Sequence, residues 1–316
     1  MNNRNKCIKA ISDKEEYIAK LPDIIKNIAG SCSQNQCFDN VNNAAIPSKE
    51  NIIDIIELIK DILFPGYFGN QEITDSSLIY HIGDEVNGLF RMLSTQITRS
   101  IRHECLKNNK KCTNCSKRGF EETIVFLENI PKIREFLAKD VKAALDGDPA
   151  AKSSDEVIFS YPGFFAIMVY RVANQLHKQK IPLIPRIMTE YAHSVTGIDI
   201  HPGADIKDSF FIDHGTGVVI GETTVIGKNV RIYQGVTLGA LSIRKKDITN
   251  SKEIPRRHPV LEDNVIVYSN ATILGGDTII GKNSVIGGNV WITESVSPNT
   301  LVFSSHSENI KKQRGK

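Results

Sequence analysis

The sequence predicts an α+β chain in which an N-terminal α-helical domain is followed by a left-handed parallel β-helix of hexapeptide repeats. Three observations carry that expectation. From Ile200 to Ile292 an aliphatic residue leads almost every sixth position, whereas between Asn51 and Leu145 apolar residues recur at helical spacing. Between the two patterns stands Asp146-Gly147-Asp148-Pro149, where a helix cannot continue.

The repeat is plain in Ile220-Gly221-Glu222-Thr223-Thr224-Val225 and the phrase after it, Ile226-Gly227-Lys228-Asn229-Val230-Arg231. Leads at Ile220, Ile226, Ile232 and Leu238 share one phase, as do Leu261, Val267 and Ile273, and then Ile280, Ile286 and Ile292. A period of six is neither helical nor the alternation of a half-buried strand. It fits a prism whose triangular turns each hold three short strands and stack about 4.8 Å apart, with the aliphatic leads inside. A sandwich would need turn signals every ~8–12 residues, and the sequence lacks that series.

Three irregularities interrupt the repeat. An earlier phase (Ile200, Ile206, Ile212, Val218) slips by two residues at Val218-Val219-Ile220, and one residue is gained between Ile273 and Ile280. Small slips bulge a coil without ending it. The third is a charged, aperiodic excursion over 240–259, and long excursions from compact folds are usually functional.

In the first half, Asn51 to Leu63 carries a stripe of Ile52, Ile55, Ile56 and Ile59, stopped by Pro65-Gly66. Ser76 to Cys105 continues with Ile79, Ile82, Val86, Leu89, Phe90, Leu93, Ile97 and Ile101, and Phe120 to Leu127 and Ile133 to Leu145 supply two more helices. The last is expected to end with Gly147 as its C-cap. Pro162-Gly163 opens a further helix through Lys178; Pro182 and Pro185 break it, and Arg186 to His193 leads into the first hexapeptide. The expected organisation is a mobile Asn- and Ser-rich segment at 1–45, a helical domain at 46–193, the β-helix with its excursion at 194–305, and a tail at 306–316.

With 41% hydrophobic and 24% charged residues the composition is that of an ordinary globular chain, and a net charge of +3 argues against a nucleic-acid surface. The first residues lack the apolar core of a signal peptide, and no apolar run approaches ~18 residues. The expectation is a cytoplasmic protein without a membrane or nucleic-acid partner. Cys112-Thr-Asn-Cys115, with Cys105 and His103 upstream, has a metal-ligand look, but free thiols at a helix connection are the expected reading. Cys7, Cys32 and Cys37 receive no role.

The chemistry concentrates at Asp148, Asp199-Ile-His201, Asp213-His214 and Arg257-His258. Two histidines, one beside an aspartate and one beside an arginine on a rigid scaffold, suit general-base catalysis and anion binding.

Five runs carry a resemblance: Gly147-Asp148-Pro149-Ala150-Ala151, Thr196-Gly-Ile-Asp199-Ile-His201-Pro-Gly-Ala, Phe211-Ile-Asp213-His214-Gly-Thr-Gly-Val-Val-Ile-Gly-Glu, Gln234-Gly-Val-Thr-Leu-Gly239 and Arg257-His258-Pro259. In order and spacing they resemble the serine O-acetyltransferase family over residues 75–305. The resemblance implies transfer of the acetyl group of acetyl-CoA to the hydroxyl of L-serine, giving O-acetyl-L-serine and CoA for cysteine biosynthesis, with no metal required.

By match to the family, His214 is the base that takes the hydroxyl proton. An imidazole of ordinary pKa, about 6.5, suits that role, and Asp199 would hold its other nitrogen. Arg257 and His258 would bind the serine carboxylate, and Asp148 and Asp213 its ammonium. His258 is the alternative base, and the sequence leaves the two open. Acetyl-CoA would lie in a groove between adjacent β-helices along Gly239, Ala240, Ser269 and Gly287, with Arg244, Lys245 and Lys246 of the excursion near its phosphates. The resemblance also implies a homo-oligomer, a trimer or dimer of trimers, and feedback binding of L-cysteine.

This chain departs from the family pattern at Ala240, where a second Gly is usual, in its longer excursion and in the insert bearing Cys105 to Cys115. It ends in Arg314-Gly315-Lys316 where many members carry an Ile tail that docks in O-acetylserine sulfhydrylase, which places that complex in doubt. Two other readings stand beside this one: another hexapeptide enzyme, either a sugar acyltransferase or a zinc lyase that collects three histidines at a trimer interface, with His193, His201 and His214 as its ligands, and a non-catalytic scaffold.

Overall fold

The computed structural model describes residues 3–32, 39–41, 46–69, 72–110, 113–241 and 256–304, with the backbone alone over 3–13. Expectations for Cys112, Arg244, Lys245, Lys246 and the 306–316 tail lie outside the described residues, as do those for the side chains of Cys7 and Cys37. The chain divides into two compact units, 1–45 and 46–316. The first contains the helix α1 (Asn3–Cys32), which its polar composition did not announce.

In the second unit the 3.6-residue stripes become α2 (Lys49–Leu63), α3 (Leu78–Lys107), α4 (Cys115–Glu128) and α5 (Ile130–Gly147). Ile52, Ile55, Ile56 and Ile59 are fully buried, as the stripe requires, against a core that includes Leu89, Leu93 and Ile97 of α3. A short α6 (Ser154–Ser160), capped by the Ser153 hydroxyl, has no counterpart in the sequence reading. It is followed by α7 (Pro162–Lys178) and α8 (Ile184–Thr196). The reading of free thiols holds for Cys105 but not for Cys115, which is disulfide-bonded; Cys32, given no role, is also a free thiol. Among the described residues no single helix is long and apolar enough to cross a membrane.

The hexapeptides wind into a left-handed parallel β-helix. Its first coil holds β1 (Asp199–Ile200), β2 (Asp205–Ile206) and β3 (Phe211–Ile212), and the second β4 (Val219–Ile220), β5 (Val225–Ile226) and β6 (Arg231–Ile232). The third holds β7 (Thr237–Gly239), β8 (Val260–Leu261) and β9 (Ile266–Val267), and the fourth β10 (Thr272–Leu274), β11 (Ile279–Ile280) and β12 (Val285–Ile286). The last strands are β13 (Trp291–Ile292) and β14 (Leu301–Val302).

Every pairing is parallel, giving three faces ordered β1-β4-β7-β10-β13, β2-β5-β8-β11 and β3-β6-β9-β12-β14. Lead pairs with lead (Ile200 with Ile220, Ile206 with Ile226, Ile212 with Ile232), and the ladders are buried inside. Between the second and third faces, Asn229, Asn264, Asn283 and Asn299 all take left-handed backbone, and each of the first three donates its amide to the next at 2.9–3.0 Å. Asparagine tolerates that conformation, and the ladder satisfies each amide in turn.

Among the described residues no strand lies above the first coil, and helices satisfy its open edge with side chains. Tyr170 Oη donates to Ala204 O at 2.6 Å and accepts from Ile206 N at 3.2 Å, while Asn174 Nδ2 donates to Pro202 O and Ala204 O. Arg171 donates to Lys207 O and grips Asp140 of α5 with Nε and Nη2 at 2.5 and 2.7 Å; Asp140 in turn accepts from Phe210 N. Asp140 and Arg171 are buried, so removing one partner strands the other's charge. Arg171→Met is therefore expected to lower the stability of the fold by about 3–5 kcal/mol, read from urea unfolding of the variant against wild type.

Gly147 is not the left-handed cap expected of it. It is the last residue of α5, and the extended Asp148 caps the helix. Its missing side chain serves packing instead: a Cβ there would lie 2.7 Å from the Phe211 ring and 2.8 Å from Arg231 Nη2. The close approach lets the end of α5 seat on the third face, where Arg231 Nη1 donates to Gly147 O at 2.7 Å.

Candidate active site

The two-residue slip at Val218 becomes a bulge on the edge between the third and first faces. Asp213 N bonds to Ile232 O on one side and Gly217 N to Gly197 O on the other, so the extra residues bow outward between them. His214 takes left-handed backbone at the crest, and its side chain is 73% exposed. An otherwise regular prism thus presents one imidazole to its surroundings.

Carboxylates flank that imidazole. Asp213 Oδ1 lies 3.9 Å from His214 Nε2. Asp148, delivered by the end of α5, accepts from Ala150 N at 2.8 Å and from Tyr161 Oη at 2.6 Å. The Tyr161 hydrogen bond, with that of Ala150, holds the Asp148 carboxyl below the usual range. Burial pushes Asp213 up, opposed by His214 and reinforced by Asp148. Two neighbouring carboxylates of this kind form a site for a small cation, with Arg231 limiting their excess charge.

Asp199, expected to hold the second nitrogen of His214, lies on the same edge, its amide bonded to Val218 O. Its carboxylate is 3.9 Å from Arg186, and no contact with His214 occurs among the described residues.

Arg257 and His258 occupy a different edge, between the first and second faces, where the excursion returns to β8. There Arg257 N and His258 N both donate to Thr223 Oγ1, at 2.9 and 3.1 Å. Thr223 N donates to His258 Nδ1 at 3.1 Å. A backbone N–H can only donate, so Nδ1 is the acceptor and the neutral ring carries its proton on Nε2. Burial, with the Arg257 charge adding to it, brings the His258 pKa down to about 4.

Arg257 Nη2 donates to Glu222 at 2.5 Å, while its Nη1 is buried with no partner among the described residues. Burial would raise the Glu222 carboxyl, but the Arg257 hydrogen bond and His201 bring it below its usual range. This edge therefore carries two donors with no partner among the described residues, a buried guanidinium N–H and an imidazole N–H, of the kind that bind an anion. The one-residue gain after Ile273 serves it too: the returning backbone crosses there, and a Cβ at Gly276 would lie 2.1 Å from Arg256 O.

The candidate residues thus fall into two groups. Asp148, Asp213 and His214 interact with one another, and Arg257 and His258 with Glu222 and Thr223, but no interaction joins the groups among the described residues. The cofactor candidates divide likewise. Ser269 and Gly287 lie on the His214 edge; Gly239 and Ala240 lie on the other, where the excursion leaves. His193 stands beside Glu190 and Asp199, and His201 beside Glu222 and His177.

Four contributors escaped the sequence reading. Tyr161 and Arg231 carry no motif. Gly221 lies within the quoted motif and Thr223 one position past its end at Glu222, but only the fold shows that His258 rests on them. A Cβ on Gly221 would lie 2.0 Å from His258 Cδ2, so Gly221→Ala should expel the ring. The expected result is a rise in the Michaelis constant for an anionic substrate of about tenfold or more, measured by steady-state kinetics, as for a lost charged hydrogen bond.

A hexapeptide prism with an outward imidazole on one edge and unpartnered donors on another is compatible with a β-helical acyltransferase. Comparison with known proteins narrows the class. The chain is 43% identical over 260 residues to a plasmid-borne serine acetyltransferase of Synechococcus elongatus, spanning 81% of each chain. It belongs to the serine acetyltransferase family. It is 47% identical over 133 residues to the serine acetyltransferase of Bacillus licheniformis, covering 42% of this chain and 57% of that one. The crystal structure of Entamoeba histolytica serine acetyltransferase 1 in complex with L-cysteine superposes with a TM-score of 0.68 at 37% identity, covering 82% of this chain and 88% of that one. No protein-family model matches the chain.

Proposed function

We propose that this enzyme transfers the acetyl group of acetyl-CoA to Oγ of L-serine, giving O-acetyl-L-serine and CoA, at a site completed by two copies of the chain. The carrying observation is the complementary split of the site. One edge offers two carboxylates around an exposed imidazole, and the other an unsatisfied guanidinium N–H beside an imidazole N–H. A zwitterionic amino acid needs both. Facing the His214 edge of one subunit against the Arg257 edge of the next satisfies it, and repeating that contact around an axis closes a ring, a trimer for a triangular prism.

In this arrangement Asp148 and Asp213 hold the ammonium of serine and Arg257 and His258 of the neighbouring subunit hold its carboxylate. His214 removes the Oγ proton as oxygen attacks the thioester carbonyl; the new C–O bond forms, the C–S bond breaks, and the proton passes to the CoA sulfur. The tautomer held by Thr223 leaves His258 a donor at Nε2, which favours His214 as the base. Acetyl-CoA lies in the groove between the two prisms, along Ser269 and Gly287 of one and Gly239 and Ala240 of the other. L-cysteine carries the same ammonium and carboxylate as serine, so it occupies the same pocket and competes with it. The Entamoeba relative crystallised with L-cysteine supports that assignment.

The test is CoA release, followed with a thiol reagent, from L-serine, 3-hydroxypropanoate and ethanolamine. Serine should react, and each analogue lacking one charged group should fall at least about 100-fold in kcat/KM. Equal rates with ethanolamine and serine would remove Arg257 and His258 from the site.

A further inference from the structure

We propose that the cavity where α5 and α7 meet the first coil is a second ligand site, which binds a small phosphorylated metabolite. The cavity has a volume of about 280 Å³ and shares no lining residue with either edge described above. Its walls carry four cationic side chains, Lys132, Arg171, Lys178 and Lys207, against the single carboxylate of Asp205.

Two of the cations are already committed. Arg171 is spent on Asp140, and Lys207 Nζ holds Asp205 Oδ2 at 2.8 Å. Lys132 of α5 and Lys178 of α7 have no ion-pair partner among the described residues, so the lining keeps two uncompensated positive charges on facing helices. Much of the Lys178 side chain is exposed, yet its pKa is lowered. Loss of water at the ammonium is the leading cause; Asp205 opposes it, and the like charges of Lys132, Lys207 and Arg171 reinforce it.

Like charges held together at an incompletely hydrated wall are relieved by a multivalent anion. A phosphate monoester is close to dianionic at pH 7, and lysines bind it as point charges without the planar geometry that a carboxylate and arginine share. Beside the cations lie Ile133, Phe136 and Ile206, an apolar surface that suits the organic part of an ester better than inorganic phosphate.

Phenyl phosphate, inorganic phosphate and phenol serve as probes, titrated calorimetrically into the full chain at low ionic strength, where exposed charges are least screened. Phenyl phosphate should bind saturably and more tightly than inorganic phosphate, and phenol should not bind. The double variant Lys132→Gln/Lys178→Gln should weaken phenyl phosphate about tenfold or more, whereas Arg257→Ala, at the other anion-binding position, should leave it unchanged. Tighter binding of inorganic phosphate than of the ester would remove the apolar part of the site. Undiminished binding by the lysine double variant, loss in Arg257→Ala instead, or no saturation up to about 10 mM would each overturn the proposal. The unliganded melting temperature of the double variant reports whether it folds; if it does not, the single Lys132→Gln and Lys178→Gln variants carry the test.

Discussion

His214→Ala should lower turnover by about 10²–10⁴ while leaving acetyl-CoA affinity nearly unchanged, because in the proposed mechanism it removes the group that takes the hydroxyl proton and nothing that holds the cofactor. His258→Ala should act differently. The Thr223 amide makes its Nδ1 an acceptor, leaving Nε2–H as a donor, so its loss should appear mainly in the Michaelis constant for serine. Two further variants test the carboxylates: Asp199→Asn should lower turnover with little change in serine binding if Asp199 orients the ring, whereas Asp213→Asn, which also loses an ammonium contact, should raise the Michaelis constant for serine as well. Asp213 lies within 3.9 Å of the ring, whereas Asp199 faces Arg186. The pH profile adds a discriminating measurement. His258 has its pKa depressed to about 4, so it is neutral well below neutrality and gains its proton only as the pH falls through that value. An acid limb of kcat at higher pH therefore belongs to a group other than His258. A His214→Ala variant with most of its turnover, beside an inactive His258→Ala, would reverse the assignment.

Mixing two inactive variants should restore activity. If each site takes its carboxylates and base from one subunit and its guanidinium from the next, His214→Ala and Arg257→Ala damage opposite halves of the site. In a randomly mixed ring of equal parts, a site is intact when its first half comes from the Arg257 variant and its second from the His214 variant, which is about one site in four. Co-refolded variants should thus regain about a quarter of the wild-type rate, from parents each down about 100-fold or more. The regained activity should carry a wild-type Michaelis constant for serine, since the rebuilt sites contain both halves. Light scattering on the same samples should give a multiple of three chains. A mixture no more active than its parents, or a monomer mass at working concentration, would place the whole site within one chain and contradict the proposed function at its central point.

The sequence by itself determined the prism and the family that its motifs resemble. A six-residue aliphatic period can bury its leads in only a few ways, and lead pairs with lead in all three faces. The helical stripe of Ile52, Ile55, Ile56 and Ile59 likewise had one face to bury. The slip at Val218 was legible as a slip, but its meaning was not. Only the stacked coils show two residues too many at one edge, with His214 pushed out on them. Tertiary structure also decided what Gly147 and Gly221 are for. A local pattern suggests a turn or cap at a glycine, whereas here each is small because a distant side chain, Arg231 or His258, occupies the space. It decided which nitrogen of His258 carries the proton, since the donor is the amide of Thr223, thirty-five positions away. And it decided that Asp213-His214 and Arg257-His258, though both six-residue-repeat features, stand on different edges. Strand order within a coil assigns every residue to an edge, and that assignment depends on the corner at which the excursion interrupts the repeat, which periodicity does not report.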